Sequence, residues 1–146
     1  MADSIRERLL SAITAAVSGE YGVPAPDDER DLPICIVQED QETASPDAYG
    51  YTVIEMPVSV AKADLAPSAT EGQTRAEYQE AMRAKCHELL ATIQAEMFVD
   101  ETFGGLADGV DYSAGFVATE VGKVCFAEAQ FTVRYHTVRN DPYTID

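Results

Sequence analysis

Positive charge is scarce in this chain of 146 residues: ten lysines and arginines face 26 aspartates and glutamates, for a formal charge of −16. A body this acidic repels phosphate. It lacks the Lys/Arg neutralisation on which ordinary nucleic-acid binding rests, and it disfavours anionic membranes. Long apolar runs are missing as well. None approaches the roughly 20 residues needed to cross a bilayer, and the first residues, with Asp3 and Glu7, lack a signal-peptide pattern. These absences lead to the expectation of a cytosolic product with no membrane partner. Cysteine is sparse, and Cys35, Cys86 and Cys125 are an odd number at wide separations. That argues against a disulfide framework or a zinc site and for reduced thiols in the core.

What is present supports a packed fold. Hydrophobic residues make up 46% of the chain, with seven tyrosines and five phenylalanines, and the length suits one domain over residues 1–146. Ser4-Ile5-Arg6-Glu7 has capping-box spacing, and Ile5, Leu9, Ile13, Ala16 and Val17 recur at helical period up to Gly19. Residues 20–31 then form a polar, acidic loop. Leu32–Gln38 reads as a short strand covered on both faces, opened by Pro33 at an edge or at its start. The long strand predicted over Tyr49–Ala61 places Thr52, Ile54, Met56, Val58 and Val60 on one face; Pro57 within it points to an edge or a bulge.

Lys62–Gln73 reads as a long mobile loop. Thr74-Arg75-Ala76-Glu77 opens a second helix, whose stripe runs through Tyr78, Met82, Cys86, Leu89, Ile93 and Met97. Val110–Thr119 and Lys123–Thr137 are expected to form an antiparallel pair, because the connection is too short for a parallel crossover. In the last strand Ala127, Ala129, Phe131, Val133 and Tyr135 share the buried face; Thr132, Arg134 and His136 face water or a partner. Asn140-Asp141-Pro142 then stops the strand, and the tail from Arg139 to Asp146 is expected to be mobile and to reach outward. The order is α-β-β-α-β-β, an α+β fold with two helices on one face of a mainly antiparallel sheet.

Catalytic and metal motifs fail on inspection. Gly122-Lys123 lacks the first glycine and the Ser/Thr of a phosphate loop, and Asp111-Tyr112-Ser113-Ala114-Gly115 begins with the wrong residue for a nucleophile elbow. Asp100–Asp111 has the length of a calcium loop, but Thr102 and Gly104 weaken two ligand positions and Asp111 replaces the bidentate Glu. Cys86-His87-Glu88 would sit on one helix with side chains about 100° apart, which cannot converge on one ion. No cofactor, metal or enzymatic activity is implied.

The first amphipathic helix, the Leu32-Pro33-Ile34-Cys35-Ile36-Val37 strand, the long strand from Tyr49, the second helix, and Phe131-x-Val133-x-Tyr135-x-Thr137 leading to Asp141-Pro142 together resemble the tail-terminator, or tail-completion, proteins of tailed bacteriophages. The resemblance implies a homo-oligomeric, hexameric ring at the neck of a virion tail, assembled in the host cytoplasm. Such a ring stops growth of the tail tube and joins the head. Its partners would be the tail tube protein and the head–tail connector protein, with DNA passing through unbound. On this reading Arg134, His136, Arg139, Asp141, Pro142 and Tyr143 are interface candidates. Asp27, Asp28, Glu29, Asp31, Glu39, Asp40, Glu42 and Asp47 are candidates to face the lumen, chosen by their clustering in two loops. A neighbouring neck or head–tail joining protein and an acidic DNA mimic are the alternatives. The charge could also serve solubility alone.

Overall fold

The computed structural model describes residues 3–22, 32–120 and 124–146. Helix α1, Ile5–Ala16, starts where Ser4 Oγ accepts from the Glu7 N–H at 3.2 Å, and it buries Ile5, Leu9, Leu10 and Ile13. Helix α2, Arg75–Met97, carries a complete capping box between Thr74 and Glu77 and buries Met82, Cys86, Ile93 and Met97. Both stripes follow the sequence spacing, because helical neighbours three and four apart share one face, except at Ala16, which is exposed.

Among the described residues six strands form one mixed sheet. They are β1 (Glu20–Tyr21), β2 (Ile34–Glu39), β3 (Thr43–Pro46), β4 (Tyr51–Leu65), β5 (Gly109–Glu120) and β6 (Val124–Val138). The order across the sheet is β1-β2-β4-β6-β5, with β3 also on β4. All pairs are antiparallel except β1 with β2. The α+β class and the helix positions match the sequence expectation. The short β1 and β3 fall in segments expected to be loops: β1 is too brief to leave a periodic signal, and β3 is exposed at every position.

Strand β6 lies at the centre of the packing. Cys125, Ala127, Ala129, Phe131, Val133, Tyr135 and Thr137 alternate into the core beneath the helices, joined there by Ile54, Met56, Val58 and Val60 of β4. Among the described residues the opposite face has no helix over it. Ile34 and Ile36 of β2 are therefore half-buried on the open side, and only Cys35 and Val37 are covered, which corrects the expectation that both faces of this strand are buried. From β4 the chain passes through α2 to β5, which runs parallel to β4 with β6 between them. A crossover helix supplies the length that such a connection needs.

Pro57 corrects a second expectation, for β4 is internal and carries no bulge at this residue. β2 pairs with β4 up to Glu39↔Val58, and β3 resumes at Thr43↔Glu55. The Pro57 carbonyl accepts from the Asp40 N–H at 2.9 Å, so it points into the gap between those two ladders. In an antiparallel ladder a residue's N–H and C=O point the same way, so the donor that proline lacks falls in the gap too. β4 also continues four residues beyond Ala61. Lys62–Leu65 are strand rather than loop, and Lys62, on the helix side, forms an ion pair with Glu96 of α2.

Phe131, 1% exposed, meets Phe98 and Tyr112 with ring centroids 6.0 and 5.7 Å away. Phe131→Ala should lower unfolding stability by about 3–5 kcal/mol in a denaturant titration. A loss within error would remove this side chain from the core.

Candidate functional site

The six interface candidates divide into two places. Arg134 and His136 lie on the open face of β6, opposite Glu55 and Val53 of β4. Arg134 is ion-paired with Asp111 of β5, and His136 Nδ1 lies 2.9 Å from both carboxylate oxygens of Asp108. The imidazole edge also meets the Tyr51 ring at 5.1 Å. A His–Asp pair orients an imidazole, but base catalysis needs a group whose proton it takes. The Ser113–Thr132 hydroxyl pair on this face, 3.2 Å apart, is four residues away along the strand, about 13 Å. The arrangement can bind and orient.

Arg139, Asp141, Pro142 and Tyr143 lie at the end of the sheet, and the tail turns back along the body rather than outward. The Val138 N–H donates to the Thr144 carbonyl at 2.7 Å, and the Pro142 carbonyl accepts from the Ile5 N–H at 2.9 Å, satisfying a donor in the first turn of α1. Ile145 packs against the core. The Asp141 carboxylate accepts from Thr144 and from the Tyr143 N–H, which together hold its pKa below the usual 3.8. The Arg139 guanidinium donates to the Asp47 carbonyl, and its N–H to that of Gly50. Tyr143 is half exposed.

Asp27, Asp28, Glu29 and Asp31 lie outside the described residues. Of the other four lumen candidates, three are tied to structure. Asp47 organises the β3–β4 turn, where its carboxylate accepts from the Tyr51 and Tyr49 N–H groups, the main reasons its pKa falls. Glu39 and Glu42 flank Arg6, whose nitrogens lie 2.8 and 2.6 Å from them. Asp40 is exposed, and its carboxylate accepts from the adjacent Gln41 N–H.

Sequence reasoning missed the cluster around Arg6. The Tyr135 hydroxyl donates to Glu42 at 2.8 Å, and the Tyr21 hydroxyl donates to Glu39 at 2.6 Å. Burial disfavours the charge on Arg6, yet the two glutamates outweigh it and raise its pKa. One signal was available: a tyrosine on the buried parity of a central strand needs a partner for its hydroxyl. Which carboxylate serves cannot be read from spacing, because Glu42 is 93 residues away.

The other candidates are accounted for locally. Asp100 accepts from the Thr102 hydroxyl, the Gly104 N–H and the Thr102 N–H, so its carboxylate closes its own turn and its pKa falls. All three cysteines are free and buried. Burial pushes the thiols of Cys35 and Cys125 up to about 11, the latter helped by Cys86, which leaves both without thiolate character at neutral pH. Among the described residues no three His, Cys, Asp or Glu side chains gather to hold a metal ion. No protein-family model matches the chain, and no curated protein matches it in sequence.

Burial and then Glu42 raise the Tyr135 pKa above its ordinary 10.0. A group raised on folding contributes its full stability below the unfolded value and loses it as pH climbs through the folded one. Cys35 and Cys125, raised from 9.0 to about 11, act with the same sign. Unfolding stability should therefore decline above about pH 9, and Tyr135→Phe should flatten the part above pH 10 while costing about 1–2 kcal/mol at neutral pH. Identical alkaline slopes for the two proteins would remove Tyr135 from this linkage.

Proposed function

We propose that this chain is a structural subunit of a tailed-phage tail, a terminator that forms a homo-oligomeric ring, hexameric by resemblance, on the head-proximal end of the tail tube. The ring stops tube polymerisation and offers its other face to the head–tail connector protein. A stack of tube rings ends in a surface that can add rings without limit, and a cap with two different faces ends that growth. The observation that carries the reading is the arrangement of elements. Two helices cover one face of a sheet whose central β6 ends in Phe131-x-Val133-x-Tyr135-x-Thr137 before Asp141-Pro142, and the other face stays open.

The charge of −16 fits a wall along which DNA slides without adhering. Arg6 offsets one of the two charges of Glu39 and Glu42 and Arg139 lies beside Asp47, so the described lumen candidates retain only part of their negative charge. Repulsion reaches about 8–10 Å at physiological ionic strength, so carboxylates farther from the passage contribute little. The same charge favours a second reading, a DNA mimic that occupies a DNA-binding enzyme. A neighbouring neck subunit differs from a terminator only by its position in the particle.

Adding the purified chain to polymerising tube subunits should shorten the tubes and place a ring of density on one end of each, seen by electron microscopy. Tubes of unchanged length with bare ends would sink the terminator reading. Stoichiometric binding to a DNA-binding enzyme, with no effect on tubes, would establish the mimic instead.

A further inference from the structure

The two edges of the sheet differ in kind. On one side β1 is two residues long and β3 ends on Pro46, both features that discourage further strands from adding. On the other side β5 runs twelve residues without proline; its one register shift lies between Tyr112 and Ala114, and from Ala114 to Glu120 the ladder is unbroken. From Tyr112 to Thr119 it carries no charged side chain, in a chain of which 25% is charged. Every second residue of an edge strand turns its N–H and C=O away from the sheet. Among the described residues nothing fills that row.

We propose that the β5 edge pairs with the same edge of a second copy, as a two-fold dimer with one continuous sheet. Charge opposes the association of two copies least at this edge. Each copy carries −16, and the Tyr112–Thr119 window lets two such bodies approach with little local repulsion. Asp111, just outside the window, is already paired with Arg134.

Parity favours the pairing. Ala114, Phe116 and Ala118 lie opposite Gln130, Glu128 and Phe126 of β6 and so share the open face. A two-fold axis normal to the sheet keeps each face on its own side. Antiparallel pairing centred on Phe116 then sets Phe116 against its own copy, with Ala114 against Ala118 on either side. Phe116 is 50% exposed, and its ring centroid lies 5.7 Å from that of Phe126. Four aromatic rings would gather at the dyad.

The helix side is complementary too. There α2 and β5 enclose a groove of about 410 Å³ with Met82, Cys86 and Val117 in its lining and Arg75 and Arg83 beside them. Antiparallel pairing brings the Asp111–Tyr112 end of the second copy to this end of the first. Tyr112 is 42% exposed on the helix side and so is brought toward this groove.

A two-fold pair joins subunits head to head, which a ring with two different faces excludes. The dimer is thus a form of the free subunit, and assembly on a tube end exchanges this contact for others. The inference does not rest on the ring reading. By sedimentation equilibrium up to about 100 µM, the chain should reach twice its 15.8 kDa. Phe116→Lys places two ammonium groups at the dyad, and the exposed Ala118→Lys provides a variant outside the core. Each should weaken dimerisation about tenfold or more, as charge on an edge does, with the thermal unfolding of Ala118→Lys unchanged. Phe116→Cys should cross-link to itself on mild oxidation, since the native cysteines are buried.

A monomer throughout the range would overturn the proposal. So would a dimer untouched by Ala118→Lys, or one in which Phe116→Cys fails to cross-link. A free chain sedimenting as a six-membered ring would overturn the dimer and leave the terminator reading standing, whereas a dimer that never caps tubes would do the reverse.

Discussion

One-sided burial of β6 is the constraint on which the rest depends. Its seven inward side chains run from Cys125 to Thr137 without a break, while the outward set includes Glu128, Thr132, Arg134 and His136. A strand of that kind accepts helices on one side only, so α1 and α2 share a layer and the chain must cross through α2 to place β5. Ala127 and Ala129 keep the buried face shallow, and larger residues fill it from Phe131 onward. The open face follows from the same alternation. It is the opposite parity of strands already committed to the core.

Cations are few, and several of them are used internally. Arg6 joins α1 to the β2–β3 segment through Glu39 and Glu42. Lys62 and Lys85 tie β4 to α2 through Glu96 and Asp64, and Arg134 ties β6 to β5 through Asp111. Arg139 holds the turn at Asp47 through its carbonyl. Most carboxylates are left without a cation, so the negative exterior is partly a consequence of how the scarce positive charge is placed. Exposed ion pairs stabilise little in water. The contribution of these is to fix which element meets which.

The helices, the buried parity of β4 and β6 and the β5–β6 hairpin were legible in the sequence, because each is a local periodic signal. Ile5-Leu9-Ile13 and Phe131-Val133-Tyr135 carry the information within a few residues. Whether a face has a second layer was not legible, since Ile34 and Ile36 look buried by composition and only the layer count decides. The candidate site was read less well for the same reason. Asp47 and Glu42 look like free charge in a loop, and what occupies them is a turn N–H in one case and a tyrosine from the far end of the chain in the other. Their partners are set by tertiary register, which no spacing rule encodes.

The gap beside Pro57 makes this flank of the sheet modular. Strain or fraying that starts at the Asp47–Gly50 turn can unzip β3 from the first half of β4, but at the proline the next rung is missing, and the β2 ladder beyond it is a separate run of hydrogen bonds. A zipper with a tooth removed halts there. The turn can therefore breathe, or be reshaped over generations, while β4 keeps its register against β2 and β6.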